Sequence, residues 1–144
     1  NPDKLLLNYE LMDLITYCDD AIGEANIEVD MIVQNVGSNG LADFTFTVSR
    51  NTLKKAIQVI ENNKKVMMFD SVTSQKNIVK VSIVGVGMRS HAGIASRMFK
   101  CLAKNKVNIR MISTSEIKIS VVIEQKSLEN AVQALHNEFK LDKK

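Results

Sequence analysis

Residues 107–123 read "VNIRMISTSEIKISVVI". Two short runs rich in Val and Ile, 107–112 and 117–123, flank a polar break around Thr114-Ser115-Glu116. Such runs read as strands. Because they are nearly contiguous, they predict an antiparallel hairpin. Upstream, residues 81–84 form another Val/Ile run, which ends at Gly85-x-Gly87. Between that run and the hairpin, Ile94, Ala95, Met98, Phe99, Leu102 and Ala103 fall at helical spacing, predicting an amphipathic helix over 94–106. After the hairpin, Ser127 can cap a helix with Leu128, Ala131, Val132, Leu135 and Phe139 on one stripe. The order is strand, helix, strand, strand, helix.

The first half of the chain carries the same order. "DDAIGEAN" (19–26) reads as a helix end, "IEVDMIVQNV" and "ADFTFTVS" as strands, and "NTLKKAIQVIENN" as a helix. Ile27-x-Val29-x-Met31-Ile32 aligns with Val107-x-Ile109-x-Met111-Ile112 at a shift of 80 residues. The segment from Phe44 aligns with the segment from Ile119 at a shift of 75. The difference of five is a longer hairpin loop in the first copy, at Gly37-Ser38-Asn39-Gly40. A repeat of this size lies far above solenoid periods and implies a duplicated small domain. Each copy alone buries a thin core, which favours packing against the other copy or another subunit.

Composition narrows the function. Of the 144 residues, 45% are hydrophobic and 24% charged, an ordinary globular balance. The net charge of +3 arises from 19 basic and 16 acidic residues, with lysines clustered only in pairs. That is a mixed surface, arguing against nucleic acid or membrane as a partner. Cys18 and Cys101 cannot supply a disulfide framework or a structural zinc site. A cytoplasmic setting fits, and no metal site is expected. The chain opens on Asn1-Pro2, so a fragment or a processed piece is expected.

A strand, a glycine turn and a helix start suit a small anion. A dinucleotide fingerprint requires G-x-G-x-x-G and an acid about twenty residues on. Here Ser90 holds the third glycine position, and Val107-Asn108-Ile109-Arg110 holds the acid's place. The phosphate-loop lysine motif is also absent. RNA-recognition modules share the topology but need aromatic residues on the open sheet face. Phe44 and Phe46 alternate on one face, but their partners in the second copy are Ile119 and Val121, which places them in the core against the helices. A small carboxylate remains, held by amides of the loop Met88–Gly93, including Ser90, His91, Ala92 and Gly93, and by the helix N-terminus. The alternative is a helix entry capped by Ser90, with the glycines serving only the turn.

Residues 80–139, "KVSIVGVGMRSHAGIASRMFKCLAKNKVNIRMISTSEIKISVVIEQKSLENAVQALHNEF", resemble the second ACT domain in the regulatory region of aspartokinase. Residues 26–61, "NIEVDMIVQNVGSNGLADFTFTVSRNTLKKAIQVIE", resemble the first. The stretches "MISTSEIKISV" and "VDMIVQNV" carry the resemblance most specifically. It implies an α+β fold of tandem ferredoxin-like βαββαβ ACT domains. Their sheets are antiparallel, with helices on one face, over residues 1–75 and 76–144. The first strand of the first copy is expected to be absent or divergent, because "NPDKLLLNYELMDLITYC" lacks the family's Asp-Lys-Pro-Gly loop. The chain also stops before the strand that should follow the last helix.

The family phosphorylates the β-carboxyl of aspartate with ATP, and its ACT pair binds lysine, threonine or both as feedback inhibitors at the junction between units. No Lys-(Phe/Tyr)-Gly-Gly kinase motif occurs here, so no catalysis by this chain is expected. ATP and Mg belong to the kinase domain, and no cofactor is expected in this chain. The resemblance further implies an aspartokinase catalytic domain or subunit as partner and a homodimer formed through ACT domains. The other readings are a free-standing ACT module serving another enzyme, and an independent enzyme on a ferredoxin-like scaffold, for which no cluster of titratable groups is evident.

Through the resemblance, Gln34 and Asn35 become effector contacts, their amides matching an amino acid's mixed charges; hairpin polarity is the alternative. Asp30 meets an ammonium or is merely the outward residue of an alternating strand. Ser113, Ser115 and Glu116 could hold an ammonium by charge-assisted hydrogen bonds, or form a polar turn. Asn108, Ile109 and Met111 lie beside the loop, with backbone groups able to pair with a ligand; alternation points Ile109 and Met111 the same way. His91 reads as a loop residue, His136 as part-exposed, Lys54-Lys55 as a solvated helix face, and the methionines, Met68 included, as core or interface filling.

Overall fold

The structure, a computed structural model, describes residue 18 and residues 20–36, 42–85 and 93–141. The chain divides into two units between Ser74 and Gln75. Residues 1–17, where the first strand of the first copy is expected to be absent or divergent, the hairpin loop 37–40 and the loop residues Ser90, His91 and Ala92 lie outside the described residues.

In the second unit, β3 (Ile78–Val84), α3 (Ile94–Lys104), β4 (Ile109–Thr114), β5 (Lys118–Glu124) and α4 (Leu128–Glu138) follow one another in the order read from the sequence. The sheet order is β3-β5-β4, and β5 is antiparallel to both neighbours. The third strand thus lies between the first two, as the ferredoxin-like split β-α-β arrangement requires. One face of β5 (Ile119, Val121, Ile123) packs with Met98 and Leu102 of α3 and with Ala131 and Leu135 of α4. Both helices therefore cover the same face. The opposite face carries a row of hydroxyls across all three strands: Ser82 and Ser113 are each in register with Ser120. Ser82 Oγ and Ser120 Oγ lie 2.8 Å apart, which satisfies the buried Ser120.

Two helix features depart from expectation. Ser127 ends a 3-10 turn, Gln125–Ser127, and makes no side-chain cap bond. Val132 is 47% exposed, because the buried stripe of α4 runs through Ala131 and Leu135, one residue out of step with it.

β4 holds a larger correction. Ile109 pairs with Ile123, but Met111 pairs with Val122, so two steps along β4 match one along β5. Arg110 is the extra residue of a β-bulge. The bulge breaks the alternation: Ile109 joins the helix-side core, whereas Met111 shares the opposite face with Val122. The two do not point the same way.

The first unit contains β1 (Val29–Val36), β2 (Ala42–Val48), α1 (Leu53–Asn62) and a short α2 (Lys64–Met67), after a helical segment at 20–24. β1 and β2 form an antiparallel pair. Phe44, Phe46 and Val48 pack on the core of Ile22, Ile27, Ala56 and Met67, so the two phenylalanines face the core as their repeat partners do. The bulge recurs here: Val29 pairs with Val48 and Ile32 with Phe46, three steps against two. Met31, buried in this bulge, donates its backbone N–H to Thr47 Oγ1 at 3.0 Å. Val122 occupies the repeat position of Thr47 and has no hydroxyl to accept. Thr47→Val keeps shape but strands a buried donor, and is expected to cost about 1–3 kcal/mol in urea unfolding, whereas Thr45→Val on the exposed face should cost far less.

The repeats also end their first helices alike. Asn26 and Lys106, 80 positions apart, both adopt the left-handed conformation (φ 51° and 57°). In each copy the next residue closes the helix, Ile27 N–H on Ile22 C=O and Val107 N–H on Leu102 C=O. This double closure satisfies terminal carbonyls. Lys55 adds to it by donating to the Ala25 carbonyl, so it is more than a solvated charge. Among the methionines, Met31, Met67 and Met98 are buried, but Met68 is 85% exposed and fills no core of its own unit.

Candidate functional site

In the second unit, chain direction brings three features to one end of the sheet. β3 ends at Val84, β4 runs parallel to it and ends at Thr114, and the β4–β5 turn lies between them in space. The Gly85 N–H donates to the Ile117 carbonyl at 2.9 Å, fastening the start of the glycine loop to the hairpin turn. The turn is held by the Ser115 N–H donating to the Lys118 carbonyl at 2.7 Å, with Ser115 Oγ donating weakly to the same oxygen at 3.4 Å. Ser113, Ser115 and Glu116 are exposed on this hairpin.

The loop returns to the helix at Gly93, the N-cap of α3, with φ +92° and no side-chain cap bond. Helix entry at Ile94 places Ser90 three residues before the cap, so it is not the N-cap residue. A Cβ at position 93 would meet no atom within 4 Å, so the demand for glycine comes from the backbone angle alone. The first-turn amides of α3 have no partners within the helix and form its positive dipole end. Hydroxyls and a carboxylate on the hairpin, with helix amides beyond the loop, offer both charges that a zwitterion needs.

The remaining sequence-predicted residues are divided. Asn108 and Ile109 stand at the opposite end of β4 from Ser115, roughly 20 Å away at about 3.3 Å per residue. They stand far from Gly85, where the loop of their own unit starts, and Met111 sits between the two ends on the open face. Among the described residues β4 is a sheet edge, and their backbone groups lie along it. In the first unit, Gln34 and Asn35 pair with Phe44 and Asp43 at the hairpin end of β1, the repeat positions of Thr114 and Ser115. Asp30 lies in the bulge at the other end, matching Arg110.

Two features escaped the residue-by-residue reading. Ile32 and Ile112, 80 positions apart on the two bulged strands, are 50% and 44% exposed. The repeat alignment holds that signal, because a pure core role would bury both. The other is the charge cluster at the second bulge. Glu124 takes Lys126 Nζ at 2.8 Å and Arg110 at 2.7 Å, and Lys126 first, then Arg110, hold its carboxyl below the usual range. On α3, burial pushes the Cys101 thiol up, with Glu138 adding to the effect. A raised thiol pKa makes a poor nucleophile. Among the described residues, no three His, Cys, Asp or Glu side chains are placed to hold a metal ion. No helix among them is long and apolar enough to cross a membrane.

Known proteins match this arrangement. An ACT domain family model matches residues 81–139. Against the crystal structure of aspartokinase alpha and beta subunits, the TM-score is 0.82 at 42% identity, covering 88% of this chain and 83% of that one. The chain belongs to the aspartokinase family. The ligand-free regulatory subunit of aspartate kinase from Thermus thermophilus superimposes with a TM-score of 0.78 at 34% identity, over 87% of this chain and 83% of that subunit. Among curated aspartokinases, the Stutzerimonas stutzeri enzyme is 61% identical over 121 residues, 84% of this chain. The chain spans 29% of the length of that relative, and its match to regulatory subunits identifies it as an aspartokinase ACT regulatory region.

Proposed function

We propose that this chain senses an end-product amino acid, lysine, threonine or both, and restrains the ATP-dependent phosphorylation of aspartate by an aspartokinase catalytic domain or subunit. The meeting of the β4–β5 hairpin with the start of the glycine loop, through Gly85 and Ile117, is the observation that carries this reading. It supports a site in which Ser115 and Glu116 of the turn, with Ser113 from the open face, take an ammonium while the α3 amides take a carboxylate. In the first unit Gln34 and Asn35 hold the matching place. Asn108, Ile109, Met111 and Asp30 contribute from a second copy of the chain, since among the described residues β4 and β1 are edge strands. The loop residues Ser90, His91 and Ala92 complete the carboxylate cradle. ATP and Mg act in the kinase part, in a cytoplasmic enzyme, and the ACT units pair as a homodimer.

An effector restrains the kinase only by binding two arrangements of the assembly unequally, and such coupling is typically about 1–3 kcal/mol. The test is aspartate phosphorylation by the matching kinase part, with and without this chain. Inhibition by lysine or threonine only when the chain is present supports the proposal. Equal rates with and without the amino acids contradict it.

A further inference from the structure

Arg97 makes an unusual set of contacts for a surface side chain. It lies one turn into α3, and its backbone N–H donates to the Gly93 carbonyl at 2.9 Å, closing the first turn. Its guanidinium reaches the carboxyl end of α4 by three routes. Nε donates to Glu138 Oε1 at 3.1 Å, and a terminal nitrogen donates to the Glu138 backbone carbonyl at 2.9 Å. The guanidinium carbon also stands 4.7 Å from the centroid of the Phe139 ring. Phe139 packs on the core, so the ring is a fixed platform. The Glu138 carbonyl is one of the terminal acceptors that a helix leaves unpaired, and a cation there also opposes the dipole. An ordinary exposed ion pair contributes little. Here planar geometry, a carbonyl and a ring face act on one group, a combination that lysine cannot reproduce.

We propose that Arg97 is a positioning residue: it fixes the first turn of α3 against the end of α4, and so sets how well the α3 amides meet an effector. The inference rests on the effector-binding reading above and adds the residue that holds the site's helix in place. No effector contact is assigned to Arg97 itself. Gly93 gives such a device its use. Glycine has no side chain, so the N-cap makes no side-chain bond to the turn. The clamp supplies one from α4, and the last described residues of the chain follow directly at 140–141.

The test uses the full chain with Arg97→Met, Arg97→Lys and Glu138→Gln. Amide exchange is read at residues 97 and 98, the first α3 amides to bond back within the helix, and, as an internal reference, at the β5 amides of 119–123. Arg97→Met is expected to speed exchange in the first turn of α3 and leave β5 unchanged. Calorimetry with lysine and with threonine should show affinity falling roughly three- to tenfold. Arg97→Lys should recover only part of both effects, and Glu138→Gln should fall between, because it keeps the carbonyl and the ring. Unchanged first-turn exchange in Arg97→Met overturns the proposal, as does unchanged affinity despite faster exchange. If the unsubstituted chain binds neither amino acid, the effector reading fails by itself, and the exchange comparison still decides the clamp.

Discussion

Leu102→Ala is expected to lower the stability of the second unit by about 2–5 kcal/mol, measured by chemical unfolding of the full chain. Leu102 is fully buried, with Met98, Val121 and Ile123 in the same core. Its backbone carbonyl also receives the Val107 N–H that closes α3 and starts the hairpin. Removing the side chain opens a cavity beneath the helix whose first turn frames the candidate site. The surrounding β5 residues are held on both edges by neighbouring strands, so the sheet cannot collapse to fill the gap. Ala103→Gly at the exposed neighbour should cost about 1 kcal/mol, the helix-propensity difference alone. Equal losses at the two positions would contradict the placement of α3.

Glu116→Gln is expected to weaken effector binding by about 1.5–3 kcal/mol, roughly 10- to 150-fold in affinity, with little change in stability without effector. Glu116 lies exposed in the hairpin turn. The amide keeps the shape but loses the charge that favours an ammonium. Ser113→Ala, which removes a neutral hydroxyl, should weaken binding by about 0.5–1.5 kcal/mol. A Glu116→Gln chain that binds as tightly as the parent would remove this residue from the site.

The elements were legible because their signals are local. Val and Ile runs separated by four polar residues specify a hairpin, and the stripe from Ile94 to Leu102 specifies the helix before it. The repeat was legible because the apolar positions recur at fixed shifts, and the shared left-handed positions Asn26 and Lys106 carry the same duplication into the backbone. The bulges were not. An extra residue in a strand changes no residue type, so counting alternation from Ile109 puts Met111 on the wrong face. Only the partner strand reveals the slip. The same limit hides how far Asn108 and Ile109 stand from the hairpin. Their sequence distance from the hairpin is short, but a strand extends every residue it contains, so a few positions become the length of the sheet. That Gln34, Asn35, Ser115 and Glu116 stand at hairpin ends was legible, because such ends are marked by composition. The clamp at Arg97 was invisible because its partners, Glu138 and Phe139, are 41 and 42 residues away in sequence.

Isothermal calorimetry on the intact chain, titrated separately with lysine, threonine and, as a control, valine, tests the central claim most directly. Saturable heat with lysine, threonine or both, and none with valine, is the predicted result. A chain whose circular dichroism shows the folded helices and sheet, yet which takes up none of the three, would contradict the account.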